Sequence, residues 1–105
     1  ALAVSNANKC HFCIHIHQKN LQKQNIPEEE ILRRQEGKSS EKKIESVLQF
    51  CIRATRNPHS LTEKNFSQLR DLGYSDNDIL EMLTVMEMFT GYNKIIVALD
   101  ILIDD

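Results

Sequence analysis

Only three glycines and two prolines punctuate these 105 residues, and no segment alternates apolar and polar residues for long enough to build a strand. Those two shortages exclude a sheet-based fold and leave an all-α chain. Long apolar runs are missing as well. The most apolar region, 79–103, is broken by Glu81, Glu87, Lys94 and Asp100, short of the ~20 uninterrupted apolar residues of a membrane span. Charge of one sign is not in excess either. With 27% charged residues and a net charge of −2, no strong field draws nucleic acid or an anionic membrane surface. The opening "ALAV" has no basic region before it and no cleavage-like site after it, unlike a signal peptide. It is expected to be the end of a helix whose beginning is missing. Three cysteines do not make a paired disulfide framework, which points to a reducing compartment, the cytoplasm, and to cysteine used for chemistry.

What is present is helical punctuation. The length fits a single domain over 1–105, large enough to remove roughly two-thirds of its surface from water. Residues 1–6 are expected to close a first helix, the loop "NANK" follows, and a second helix covers about 10–23 with Asn8 as its cap. Pro27 suits a first helical position, and "PEEEILRRQ" places acids in the first turn and arginines in the last, as the helix dipole favours. After the polar break "EGKSS", Ile44, Val47, Leu48, Cys51 and Ile52 mark one buried face of a fourth helix that stops before Pro58. Thr62 caps a fifth helix, with Leu61 and Phe66 as a hydrophobic staple and Gly73 as its stop. Ser75 caps the sixth, with Asp78 as its capping partner and Tyr74 facing Ile79. That last helix is apolar on nearly every side, more than a monomer of this size readily covers, and is expected to make an oligomer interface; the alternative is that it is simply the central helix of the monomer. The segment "FSQLRDLGYSDNDILEML" has a helix-turn-helix layout. Its second helix would bring Asp76, Asp78 and Glu81 to DNA, and phosphate repulsion speaks against that use.

The chemistry concentrates in "KCHFCIHIH", residues 9–17. Cys10, Cys13 and His17 share one helical face, with neighbours three or four apart about 5–6 Å from each other. Cys13 and His17 are close enough for an imidazole to act on a thiol, directly or through one water. A helix N-terminus, a Cys-x-x-Cys spacing and an adjacent histidine each lower a thiol pKa, from ~8.5 into the range ~3.5–7.5. A thiolate so activated can attack the O–O bond of a peroxide, and the resulting sulfenic acid can condense with a neighbouring thiol. Cys10 and Cys13 can close such a disulfide if the helix starts slightly irregularly.

Other uses of the same residues stay open to different degrees. Haem attachment needs histidine directly after the second cysteine, where Ile14 stands. Zinc would find three of its four ligands in Cys10, Cys13 and His17, but no second Cys/His pair exists, only the single Cys51 and His59. A thioredoxin-type motif would require a βαβ pattern that is absent. The cysteines could also be small core residues, as Cys51 on the apolar stripe of the fourth helix is expected to be. His11 and His15 fall away from the shared face, and His59 in "NPHS" is expected to be solvated.

The stretches "ALAVSNANKCHFCIHIH" and "FCIRATRNPHSLTEKNFSQLRDLGYSDNDILEMLTVMEMFTGYNK" resemble the alkylhydroperoxidase AhpD-like family of the carboxymuconolactone decarboxylase superfamily, its peroxidase-related branch in particular. The resemblance implies an AhpD-like all-α bundle assembled as a trimer or hexamer. The implied activity is reduction of a hydroperoxide with electrons from a dithiol donor such as a lipoylated protein, without haem, flavin or metal. Carried over by position, Cys13 would be the peroxidatic cysteine, Cys10 the resolving cysteine and His17 part of the relay that deprotonates Cys13. The family's relay also uses a glutamate twelve positions before the first cysteine, which would lie three residues upstream of Ala1. Some members carry a histidine where this chain has Phe12, which implies a shorter relay here. The decarboxylase branch lacks the cysteine pair, so decarboxylation is disfavoured.

Overall fold

In the computed structural model, which describes residues 1–99, six α-helices follow one another. They are α1 (Leu2–Ala7), α2 (His11–Lys23), α3 (Glu28–Gln35), α4 (Lys42–Arg56), α5 (Glu63–Asp71) and α6 (Asp76–Ala98), with a 3-10 turn at Pro58–Ser60. No strand occurs among the described residues, in keeping with the missing period-two pattern. The end of the apolar region 79–103, from residue 100 on, lies outside the described residues.

Four helices stop by one device. The chain turns through a residue of positive φ, and the next N–H reaches back to the carbonyl five positions earlier. Lys9, Asn25, Gly37 and Gly73 hold those turns, with φ of 56°, 62°, 82° and 97°. The returning bonds are Cys10 N–H to Ser5 O (3.1 Å), Ile26 to Leu21 (3.2 Å), Lys38 to Arg33 (2.8 Å) and Tyr74 to Leu69 (3.1 Å). Glycine and asparagine accept this conformation readily; lysine does so at about 1 kcal/mol or more. Lys9 is therefore the strained member, and it immediately precedes Cys10.

Starts are equally local. Asn65 Oδ1 accepts from Thr62 N–H at 2.7 Å, Asp78 Oδ2 accepts from Ser75 N–H at 2.8 Å, and Ser75 Oγ accepts from Asp78 N–H at 3.1 Å. Leu61, Phe66 and Tyr74, expected in the two staples, pack on the core cluster that includes Ile79.

The core forms where α1, α4, α5 and α6 meet, around Val4, Phe50, Cys51, Ala54, Leu69, Ile79 and Met86. Although only six residues long, α1 is the hub: Leu2, Ala3, Val4 and Ser5 are buried, and it touches α2, α3, α4 and α6. Its small residues allow that many neighbours to approach closely.

Three expectations require correction. The cap of α2 is Cys10, in extended conformation, and Asn8 instead ends α1. The positive φ of Lys9 restarts the chain one residue later than the asparagine suggests. Pro27 sits just outside α3 as its cap residue. On α4 the most buried residues are Phe50, Cys51 and Ala54, with Ile44, Val47, Leu48 and Ile52 half-buried. The helix packs against α1, α5 and α6, and Phe50, Cys51 and Ala54, members of the shared core cluster, are covered more fully than the aliphatics that flank them.

Candidate functional site

Because Cys10 is the extended cap residue of α2, its sulfur folds back over the first turn. There it accepts from Cys13 N–H at 3.3 Å. The two Cα atoms are 5.2 Å apart and the sulfurs are joined in a disulfide, a separation that suits such a bridge. The first turn of α2 carries no acidic side chain. The partial positive charge of the helix start is thus left facing the sulfurs, a setting that favours thiolate once the bond is reduced.

Behind the cysteines lies a polar cluster that spans the whole chain. Asn8 Nδ2 donates to Thr90 Oγ1 (3.2 Å) and to Asn93 Oδ1 (3.0 Å), and Asn93 Nδ2 donates to Ser5 Oγ (3.1 Å). Ser5 is fully buried and Asn93 is 1% exposed. Burial of this kind is tolerated only with every polar atom partnered, and the cluster achieves it. Sequence reasoning missed Ser5, Thr90 and Asn93. The available signal is two polar residues, Thr90 and Asn93, at i, i+3 on the helix face that otherwise holds Ile79 and Met86.

His17 follows Cys13 by one helical turn. Its ring lies edge-on to Phe89, 5.1 Å between centroids, with no hydrogen bond to either sulfur in this oxidised form. Burial against Phe89 is the main cause that pushes the imidazole below its ordinary value, so the ring is held neutral and able to accept a proton. Of the predicted trio, Cys10 and Cys13 are brought into covalent contact, and His17 stands adjacent on the same helix. His11 is exposed, His15 is half-buried, and His59 is exposed as expected. Cys51 is a free, buried thiol in the core, and burial pushes its pKa up, which makes it a poor nucleophile.

Phe89 also forms one wall of an apolar cleft of about 460 Å³, shared with Val4, Val47, Cys51, Met82 and Val85. A more polar groove of about 520 Å³ runs between α4 and α5 past Arg53, Arg56 and Gln68. Cys10, Cys13 and His17 line neither. Among the described residues no three His, Cys, Asp or Glu side chains converge as metal ligands, and no helix is long and apolar enough to cross a membrane.

Comparison with known protein families finds no family whose description matches the chain, and comparison with curated proteins finds no match either.

Proposed function

We propose that the chain is a thiol-dependent hydroperoxide reductase of the AhpD-like kind, and the observation that carries the proposal is the Cys10–Cys13 bridge at the start of α2. In the reduced form Cys13 thiolate attacks the distal oxygen of ROOH. The O–O bond breaks, ROH leaves with a proton, and Cys13 becomes a sulfenic acid. Cys10 thiol then attacks that sulfur, water departs, and the disulfide forms. A dithiol donor such as a lipoylated protein takes the oxidation, becoming a disulfide itself and restoring two thiols. Cys13 is 5% exposed against 1% for Cys10, which supports Cys13 as the first to meet peroxide. In this reading His17, one helical turn from Cys13 and with a lowered pKa, takes the Cys13 proton through a water. Re-reduction by a dithiol fits a reducing compartment such as the cytoplasm, and the reading includes a homo-oligomer, a trimer or hexamer, as the working form.

The test is dithiol-dependent peroxide turnover by wild type and by Cys13→Ser. The variant should fall to the uncatalysed background, while Cys10→Ser should still accumulate a sulfenic acid that a dimedone-type reagent captures. Full turnover in Cys13→Ser would sink the proposal. One observation favours a second reading: both cysteines are almost wholly buried, which suits a redox sensor oxidised once and re-reduced slowly. A single oxidation per chain without repeated turnover would select the sensor.

A further inference from the structure

We infer that Asn93 is a positioning residue for the redox pair: through Asn8 and Ser5 it clamps the strained Lys9 turn and so sets how strongly the disulfide is favoured over the dithiol. The inference rests on the reading of Cys10 and Cys13 as a working redox pair.

Cys10 owes its place to two hydrogen bonds on either side of its peptide. Its N–H donates to Ser5 O at 3.1 Å, ending α1, and its carbonyl accepts from Ile14 N–H at 2.9 Å, beginning α2. Between the two helices stands Lys9 at φ 56°, a conformation that an L-residue leaves when nothing holds it. The holding groups come from the other end of the chain. Asn93 on α6 receives Asn8 Nδ2 at 3.0 Å and gives its own Nδ2 to Ser5 Oγ at 3.1 Å, so one buried amide grips two residues on the α1 side of the turn, and Ser5 in turn holds Cys10 N–H beyond it. Thr90, one turn earlier on α6, takes the second bond of Asn8. With the turn clamped, Cys10 Sγ is kept over Cys13, and closing the disulfide needs little further ordering. Without the clamp, reduction would free Cys10 to swing away, and the dithiol would gain what the disulfide loses.

The measurement is the dithiol–disulfide equilibrium of the full chain in glutathione buffers of graded ratio, read by thiol alkylation and mass. Asn93→Leu keeps the branching and heavy-atom count of the side chain, though not its volume, and removes both bonds of the amide; Asn8→Ala, at a half-buried position, unlocks the same turn without touching the core. Each should shift the equilibrium about tenfold toward the dithiol, which for two electrons is about 30 mV. Ile79→Val, a core trim at the far end of α6, should lower stability and leave the equilibrium within twofold of wild type. The inference is overturned if Asn8→Ala stays within twofold of wild type, or if Ile79→Val moves the equilibrium as far as the clamp variants. Should Asn93→Leu fail to fold, Asn8→Ala decides alone. Peroxide plays no part in this measurement, so loss of the clamp effect and absence of peroxidase turnover are separately visible.

Discussion

At the scale of single residues, the neutral state of His17 links stability and chemistry. Its folded pKa lies below the ordinary 6.5 because burial against Phe89 disfavours the charged ring. Between that lowered value and 6.5 the unfolded chain binds more protons than the folded one, so stability rises with pH across the window. The contribution is present in full above 6.5 and is lost as pH falls through the folded pKa. Peroxide turnover should follow the same lower limit and stay level below pH 6.5 until His17 protonates. His17→Asn should lower the rate about 10²-fold and remove that acidic limb from the pH–rate profile. An unchanged profile in the variant would take His17 out of the proton path. Phe89, 72 positions along the chain from His17, is the α6 residue that the α2 imidazole meets edge-on, and no periodicity in either helix alone reveals that pairing.

At the scale of elements, the break between α3 and α4 is held by one carboxylate. Glu30 accepts from Arg34 Nε at 2.7 Å, Ser39 Oγ at 2.6 Å and Ser40 N–H at 3.1 Å, with Arg33 at 3.5 Å. The Ser39 and Arg34 bonds lead in drawing its pKa down from 4.5 to about 2. The stability it supplies is therefore complete above pH 4.5 and fades as pH falls toward 2. Glu30→Gln should cost about 2–3 kcal/mol at neutral pH and flatten the loss of urea stability between pH 5 and 3, measured by helical circular dichroism. The local parts of such elements were legible in the sequence: Thr62, Ser75 and Gly73 act within four residues of themselves, where cap chemistry is written. Parts that depend on distant partners were not. Asn93 meets Ser5 across 88 positions, and Lys9 adopts a turn conformation that its side chain does nothing to announce. Asn8 carries the residue type of a cap, yet its side chain is drawn off to α6, and the cap passes to Cys10. The candidate pair itself was legible because Cys-x-x-Cys places both sulfurs within one helical turn, whereas the clamp behind it exists only in the folded chain.

At the scale of the whole molecule, α6 leaves a face of apolar side chains exposed among the described residues. Ile79, Met86, Thr90 and Asn93 face inward, while Val85, Met88, Tyr92, Ile95 and Leu99 recur at alternating three- and four-residue steps on another face, 38% to 67% exposed. Such spacing is that of a helix seam that packs against another helix. The molecule measures 42 × 30 × 19 Å, and its shortest axis is about two helix diameters, which leaves no layer of the described residues over the second face. Continuous exposed apolar stripes of this kind mark association surfaces, and self-association would bury it. Light scattering at micromolar concentration should therefore give a multiple of the 12.1 kDa chain mass, and the melting temperature should rise with concentration, as mass action requires. Met88→Lys combined with Ile95→Lys places two charges in the seam and leaves the inward face untouched. That variant should run as a helical monomer with a melting temperature independent of concentration. A wild-type chain that is itself a stable monomer would show that the stripe is not a self-association seam, and the redox site would then have to work within a single copy.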